Sequence, residues 1–288
     1  MTDISGYIKA VEERLSEIIN DRAARRSDKT DCIKAMDYSL EAGGKRIRPV
    51  LTLMLCSMYG GDIADAVDPA CAIEMIHTFS LIHDDMPCMD DDDMRRGKPS
   101  CHIAYGEANA LLAGDGLENL AYDVIVGSSL PAQIKVDLML VLTKAVDDMI
   151  CGQSLDLLSE TDKRELLDEL YEQKTCALIR AACMMGYICS GKDKKSDMEK
   201  IDRFAYHLGM AFQIIDDILD VTADPSKLGK PVHSDEDNGK ATYVSLYGTE
   251  RAGQMALEHT AEAMAAAAAM PHSGQLCDLT QMLLCRDH

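Results

Sequence analysis

Positive charge is scarce in this chain. Its 288 residues carry 29 lysines and arginines against 49 aspartates and glutamates, a formal net charge of −20. A duplex-binding surface needs a basic footprint, and this balance argues against nucleic acid as a partner. Long apolar runs are missing too. No stretch approaches membrane-spanning length, and the alanines at Ala265–Ala269 are too few to cross a bilayer. No N-terminal segment resembles a signal peptide. The 11 cysteines form no CxxC pair, which suits reduced thiols in a cytoplasmic protein. Cys101-His102 is too small a fragment to argue for zinc.

Strand signals are nearly absent. No period-two alternation is sustained, and the Asn-Gly of "EDNGKATY" is not set between β-branched runs. No Ser/Pro/Gly-rich linker and no repeat of 20 to 50 residues divides the chain, so a single domain over residues 1–288 is expected. The prolines Pro49, Pro69, Pro87, Pro99, Pro131, Pro225, Pro231 and Pro271 are expected at breaks between helices.

What remains is helix after helix. "YIKAVEERLSEII" (Tyr7–Ile19) and "ELLDELYEQ" (Glu165–Gln173) carry apolar residues at helical spacing. The stretch Cys71–Met86 is apolar around most of its circumference, which predicts a helix buried inside a bundle. In Ile201–Thr222, Phe204, Leu208, Ala211, Phe212, Ile215 and Leu219 form one stripe. Gln213, Asp216, Asp217 and Asp220 form another, predicted to lie opposite it.

The acidic excess is concentrated. Six aspartates fall between Asp84 and Asp93, directly after the apolar run. Asp216 and Asp220 stand one helical turn apart, with Cβ atoms about 5–6 Å from each other. Like charges at that spacing oppose the helix unless a divalent cation bridges them. On an unbroken helix Asp90 would point away from Asp84. Pro87 disfavours helical geometry at Met86, however, so the chain is expected to fold Asp90 back toward Asp84. An oxygen-only ligand set without Cys or His favours Mg²⁺ or Mn²⁺ over zinc, and Mg²⁺ is usually shared with substrate phosphates. Cations sit nearby in sequence or at turns: Arg95 and Arg96, then Lys45, Arg46 and Arg48 in "GGKRIRP", and Lys174, Lys230 and Lys240. In so acidic a chain they suggest a bound anion.

The ordered segments "GGKRIRP", "IHTFSLIHDDMPCMDDDDMRRGKP", "YGEANALLAGD", "GQSLDL", "EQKTCALI", "AFQIIDDILD" and "LGK…NGKATY" resemble the motifs of the trans-isoprenyl diphosphate synthases. The resemblance is to farnesyl and geranylgeranyl diphosphate synthases, and it implies an all-α bundle of long helices around a central apolar cavity. It also implies a metal site of Asp84, Asp85, Asp90, Asp216, Asp217 and Asp220 holding about three Mg²⁺ ions, with Mn²⁺ as a substitute. Asp84, Asp90 and Asp216 would be the principal ligands. Arg95, Lys174, Gln213 and Lys230 would bind an allylic diphosphate, with Lys240 closing over it. Lys45, Arg48, His77 and Arg96 would receive isopentenyl diphosphate. Lys174 and Thr175 would help stabilise the allylic cation, and the assembly would be a homodimer. Metal-neutralised diphosphate is a better leaving group. An apolar site with many Met and few Phe would shelter the resulting cation from water.

The same resemblance makes Phe79, with Ser80 following, a chain-length stop. Phe79 lies five residues before Asp84, about 7.5 Å deeper along the helix axis. An aromatic there implies the fifteen-carbon farnesyl product, and geranylgeranyl is the alternative. Five residues also rotate Phe79 by about 140° from Asp84, so outward packing in the core is open as well. Two other classes stay on the table. A class I terpene cyclase would not need the second anion site of Lys45, Arg48 and Arg96. A non-catalytic subunit should have lost metal or diphosphate residues, and none is missing here.

Overall fold

A computed structural model describes residues 4–26, 31–158, 160–222 and 241–284, and almost all of them are helical. By contact, the chain groups into two compact units. One comprises residues 1–140 with 185–191, the other residues 141–184 with 192–288.

The first unit contains α1 (Ile4–Arg26), α2 (Asp31–Leu40), α3 (Ile47–Met58), α4 (Ile63–Asp84), α5 (Cys101–Tyr105) and α6 (Glu107–Gly127). At its centre is α4. Ala70, Cys71, Ala72, Ile73, Met75, Ile76 and Phe79 are all buried on it, so the helix is covered on several sides, as its apolar circumference predicts. It packs chiefly against α6 and α3, with α1 alongside. Asp62 caps its start by accepting from the Ala64 N–H at 3.0 Å.

Two prolines correct the expectation that each marks a break. Pro69 lies inside α4 and Pro49 inside α3. Pro49 is in the first turn, where an N–H has no helical acceptor to lose. Pro69, itself buried, sacrifices one backbone bond within a helix held by packing on several sides.

Between α4 and α5 a two-residue antiparallel ribbon forms, β1 (Met94–Arg95) with β2 (Lys98–Pro99). Its connecting pair, Arg96 and Gly97, has φ of 53° and 76°. Two successive positive φ values make the tight turn whose twist matches paired strands.

The second unit contains the C-terminal part of α7 (Ala132–Asp156), α8 (Glu160–Tyr171), a π-helical turn (Glu172–Cys176), most of α9 (Ala177–Cys189), α10 (Lys195–Thr222), α11 (Tyr243–Tyr247), α12 (Thr249–Ala268) and α13 (Gly274–Leu284). The helix α10 packs along α12 and against the π turn. Leu167, Leu170, Tyr171, Cys176, Met210, Ile214 and Tyr243 form the core beneath.

Here the predicted division of α10 is revised. Its upper half buries Phe204, Leu208 and Ala211 as expected, but its lower half buries Ile214, Asp217 and Asp220. Phe212, Ile215 and Leu219 are only partly covered. Two carboxylates therefore lie on the packed side, and Asp217 meets polar partners from α8 and α11 there.

Candidate active site

In the first unit the site begins where α4 ends. Asp85 caps the helix, and the Met86 N–H turns back to the His83 carbonyl at 3.2 Å. The Asp90 N–H then donates to the Asp84 carbonyl at 2.9 Å, so the loop around Pro87 returns Asp90 to Asp84 as the proline predicts. Asp91 completes the turn at a φ of 53°, a conformation that a short Asp side chain tolerates. Asp84 and Asp90 stay partly exposed, whereas Asp85 is buried.

The β1–β2 ribbon aims its two arginines in different directions. Arg95 Nε reaches both Asp85 oxygens, at 2.9 and 3.2 Å, and its Nη2 reaches Asp92 at 3.2 Å. Burial raises the Asp85 carboxyl pKa, and the Arg95 guanidinium opposes this without cancelling it. The neighbouring Arg96 lies instead on the Gly43-Gly44 backbone and donates to the Gly43 carbonyl. A β-carbon on Gly44 would stand 2.7 Å from the Arg96 guanidinium carbon, and Gly44 has a φ of +129°. Only glycine suits that position.

Beside it, Arg48 Nη1 donates to His77 Nε2 at 3.3 Å. Burial, then Arg48 and the guanidinium groups of Arg96, Arg46 and Arg95, hold His77 well below its ordinary pKa. The imidazole is thus a neutral acceptor within a cationic cluster. Lys45 is exposed on the same loop. Four residues expected at one anion site, Lys45, Arg48, His77 and Arg96, therefore come from three segments of a single unit.

Arg46 departs from the sequence reading that placed it among the anion-binding cations. It is 5 % exposed at a φ of 49°. Its Nη1 donates to Glu74 and its Nη2 to the Leu40 carbonyl, both at 2.6 Å. A buried, paired guanidinium serves the fold. Glu74, inside the apolar run Cys71–Met86, was not singled out in sequence.

On α4, Phe79 is 7 % exposed and meets the His83 ring edge-on. The Ser80 hydroxyl donates to the His77 carbonyl at 2.9 Å, within its own helix.

The second unit presents the other motif. Asp217 is 3 % exposed. Its Oδ2 accepts from the Tyr171 hydroxyl at 2.6 Å and from the Tyr243 N–H at 3.0 Å, while Oδ1 accepts from Gln213 at 3.3 Å. Asp220 is buried and Asp216 partly exposed. Tyr243 in turn donates its hydroxyl to Asp168.

The π turn sets the remaining candidates. Its wider winding inserts a residue into the helix, a distortion frequent at functional sites. Lys174 Nζ donates to Asp156 at 2.5 Å, and the Thr175 hydroxyl donates to Gln213 Oε1 at 3.0 Å. On α7, a β-carbon at Gly152 would lie 2.4 Å from the Lys174 nitrogen, so glycine lets the two backbones touch. Asp156, Tyr171 and Tyr243 were not singled out in sequence, although "GQSLDL", "ELLDELYEQ" and "NGKATY" contain them. Lys230 and Lys240 lie outside the described residues.

Each unit carries a helix-borne aspartate motif; the first adds an arginine–histidine cluster and the second a π turn bearing Lys-Thr, groups suited to hard cations and to anions on an all-α scaffold. Residues 29–280 match the polyprenyl synthetase family model. The chain is 45 % identical over 245 residues to the farnesyl diphosphate synthase of Geobacillus stearothermophilus, covering 83 % of this chain and 81 % of that one. It is 42 % identical to the geranylgeranyl diphosphate synthase of Cyanophora paradoxa, covering 85 % and 83 %. It is also similar to the crystal structure of a Helicobacter pylori geranyltransferase complexed with magnesium and isoprenyl diphosphate, with a TM-score of 0.83 and 32 % identity over 98 % of this chain and 96 % of that one. The chain belongs to the polyprenyl synthetase family, and it is a prenyltransferase.

Proposed function

We propose that this enzyme condenses isopentenyl diphosphate with dimethylallyl or geranyl diphosphate and releases chiefly farnesyl diphosphate, with residues 1–288 acting as one catalytic domain. The observation that carries the reading is the cluster of Arg48 paired with His77 and of Arg96 laid over Gly43-Gly44. It offers a diphosphate seat built from cations, separate in chemistry from the aspartates that end α4. A condensing synthase needs two such seats, whereas a cyclase that ionises one substrate needs one.

The aspartates fit Mg²⁺. Their donors are hard oxygens, and Asp84, Asp90 and Asp216 are partly exposed residues. Among the described residues no three His, Cys, Asp or Glu side chains already converge as a ready cage. The ions would therefore be held jointly with the substrate's phosphates, as is usual for Mg²⁺. When bound, they would neutralise the allylic diphosphate as it leaves.

The chain's own groups have distinct duties in this reading. Arg95, Lys174, Gln213 and Lys230 hold the allylic diphosphate, with Lys240 covering it. Lys174 must then share its charge between Asp156 and the phosphate. Thr175 and Lys174 help stabilise the developing allylic cation through nearby oxygens. Lys45, Arg48, Arg96 and neutral His77 orient isopentenyl diphosphate so that its double bond attacks. Loss of a proton then restores an alkene, and the released pyrophosphate is the base. Phe79 ends the channel. Exposed Leu112 and Val126 on α6 and Leu140 on α7 offer apolar surface to a second copy in a homodimer. No described helix is long and apolar enough to cross a membrane.

The test is incubation of purified protein with Mg²⁺, isopentenyl diphosphate and dimethylallyl diphosphate, followed by dephosphorylation and sizing of the alcohols. Farnesol as the main product is expected, and none should form with excess chelator. Mainly geranylgeraniol would overturn the product assignment. No condensation with either primer would overturn the activity.

A further inference from the structure

Phe79 does not stand alone on α4. One turn later the ring of His83 meets it edge-on, with centroids 5.2 Å apart and planes at 90°. This is the preferred arrangement for two rings in contact. The imidazole is itself pinned. Its Nε2 lies 3.1 Å from the Leu111 carbonyl on α6. A carbonyl can only accept, so Nε2 carries the hydrogen and the tautomer is set by α6.

The seat for the ring is made by one glycine. A β-carbon at Gly114 would fall 2.1 Å from His83 Nε2 and 2.5 Å from Cδ2. Those atoms are the inner tip of an aromatic ring with one torsion to the backbone beyond χ1, so a methyl there would require the whole ring to move. Gly114 has no unusual φ that would otherwise demand glycine. Room for His83 is the requirement it meets.

Deeper along α4 from Phe79, at spacings of four, seven and eight residues, come Met75, Ala72 and Cys71, all fully buried. Two of these are small. On the reading above that Phe79 ends the channel, this is the face that a longer chain would meet once past the phenyl ring.

We infer that His83, seated by Gly114 and the Leu111 carbonyl, is a positioning residue that holds the Phe79 ring across the channel and so sets product length. This rests on the reading above that Phe79 ends the channel. His83 touches no substrate in this role; it acts through Phe79, and its effect is on product size rather than on turnover.

The test compares the wild-type protein with Phe79→Ala, His83→Ala and Gly114→Ala. Each is assayed with Mg²⁺, isopentenyl diphosphate and dimethylallyl diphosphate, and the products are sized as a ratio of twenty- to fifteen-carbon alcohols. Assays are matched for active enzyme and stopped at low conversion, so that rebinding of released product does not move the ratio and a loss of stability alone leaves it unchanged. His83→Ala removes atoms and introduces no clash, which keeps the test open should Gly114→Ala fold poorly. The expected result is a severalfold rise in the ratio for Phe79→Ala and a rise in the same direction for the other two, with KM for isopentenyl diphosphate nearly unchanged. An unchanged ratio in His83→Ala and Gly114→Ala, alongside longer products from Phe79→Ala, would overturn the positioning role alone. An unchanged ratio in Phe79→Ala would instead remove the channel-end reading, and the inference with it.

Discussion

The Tyr171 hydroxyl donates to Asp217 Oδ2 at 2.6 Å, and the Tyr243 N–H meets the same oxygen at 3.0 Å. The middle aspartate of the second motif therefore joins the end of α8, the start of α11 and α10 through one buried carboxylate. Asp216, next to it in sequence, remains partly exposed. Neighbouring residues of one motif thus have different environments.

From this contrast the two aspartates should separate in experiment. Asp217→Ala leaves a buried hydroxyl and a buried N–H without their acceptor and should cost about 3 kcal/mol. That corresponds to a fall in melting temperature of roughly 5–10 °C for a chain of this size. The Mg²⁺ concentration for half-maximal activity should change little. Asp216→Ala should leave the melting temperature within about 2 °C of wild type and raise the Mg²⁺ requirement instead. Melting curves and Mg²⁺ titrations of the two variants check this, and a raised Mg²⁺ requirement in both would make Asp217 a ligand.

Arg46 and Glu74 should behave as a unit. Their side chains are 3 % and 2 % exposed. Removing Glu74 leaves the buried guanidinium with only the exposed Glu12, 3.6 Å from Arg46 Nε, as an acidic partner, so Glu74→Ala should cost about 3 kcal/mol. An apolar pair of similar volume, Arg46→Met with Glu74→Leu, should recover most of it. Urea denaturation of the single and double variants measures the difference.

Gly44→Ala puts a β-carbon where the Arg96 guanidinium lies and strains a backbone at a φ of +129°. KM for isopentenyl diphosphate should rise about tenfold, equivalent to about 1.4 kcal/mol of lost binding. KM for the allylic substrate should stay within about twofold, a difference below roughly 0.5 kcal/mol. Initial-rate measurements with each substrate varied in turn would show it. Equal rises in both would place Arg96 elsewhere.

A second histidine contact predicts a pH response. His207 and His259 join α10 to α12 through Nδ1 atoms 3.0 Å apart, an arrangement that holds a single hydrogen between them. Both pKa values are lowered from the ordinary 6.5, chiefly by burial, and His259 also by His207. Around the pair stand Arg203, Tyr206, Asp168, Glu258 and Glu262. With the folded-state values depressed, the unfolded chain binds more protons. The stability of this contact is thus complete above about pH 6.5 and is lost as pH falls through and below that value. The melting temperature should drop between pH 7.5 and 5.5. His259→Gln should lessen the drop, whereas the part due to buried His77, shifted in the same direction, should persist.

Local rules made part of this legible in advance. The return of Asp90 to Asp84 follows from Pro87, and the central burial of α4 follows from its apolar circumference. The same rules misread Pro69, which packing keeps inside a helix, and Arg46, which a loop of glycines and cations made to look like a ligand. They also misjudged the lower half of α10. Periodicity sorts residues by polarity, and Asp217 is a polar residue on a buried face because its donors come from Tyr171 and Tyr243.

By itself the sequence determined the all-helical class, the ends of the aspartate helices and the residue types able to hold hard cations and phosphate. Those depend on spacing along a single helix or on the chemistry of single side chains. Only the tertiary structure decided which aspartate is sequestered, which arginine is structural and where the His83 ring rests. Each of those is settled by a partner distant in sequence — Tyr243 for Asp217, Glu74 for Arg46, Gly114 for His83 — and a hydrogen bond or a missing β-carbon acts only across the few ångströms that folding closes.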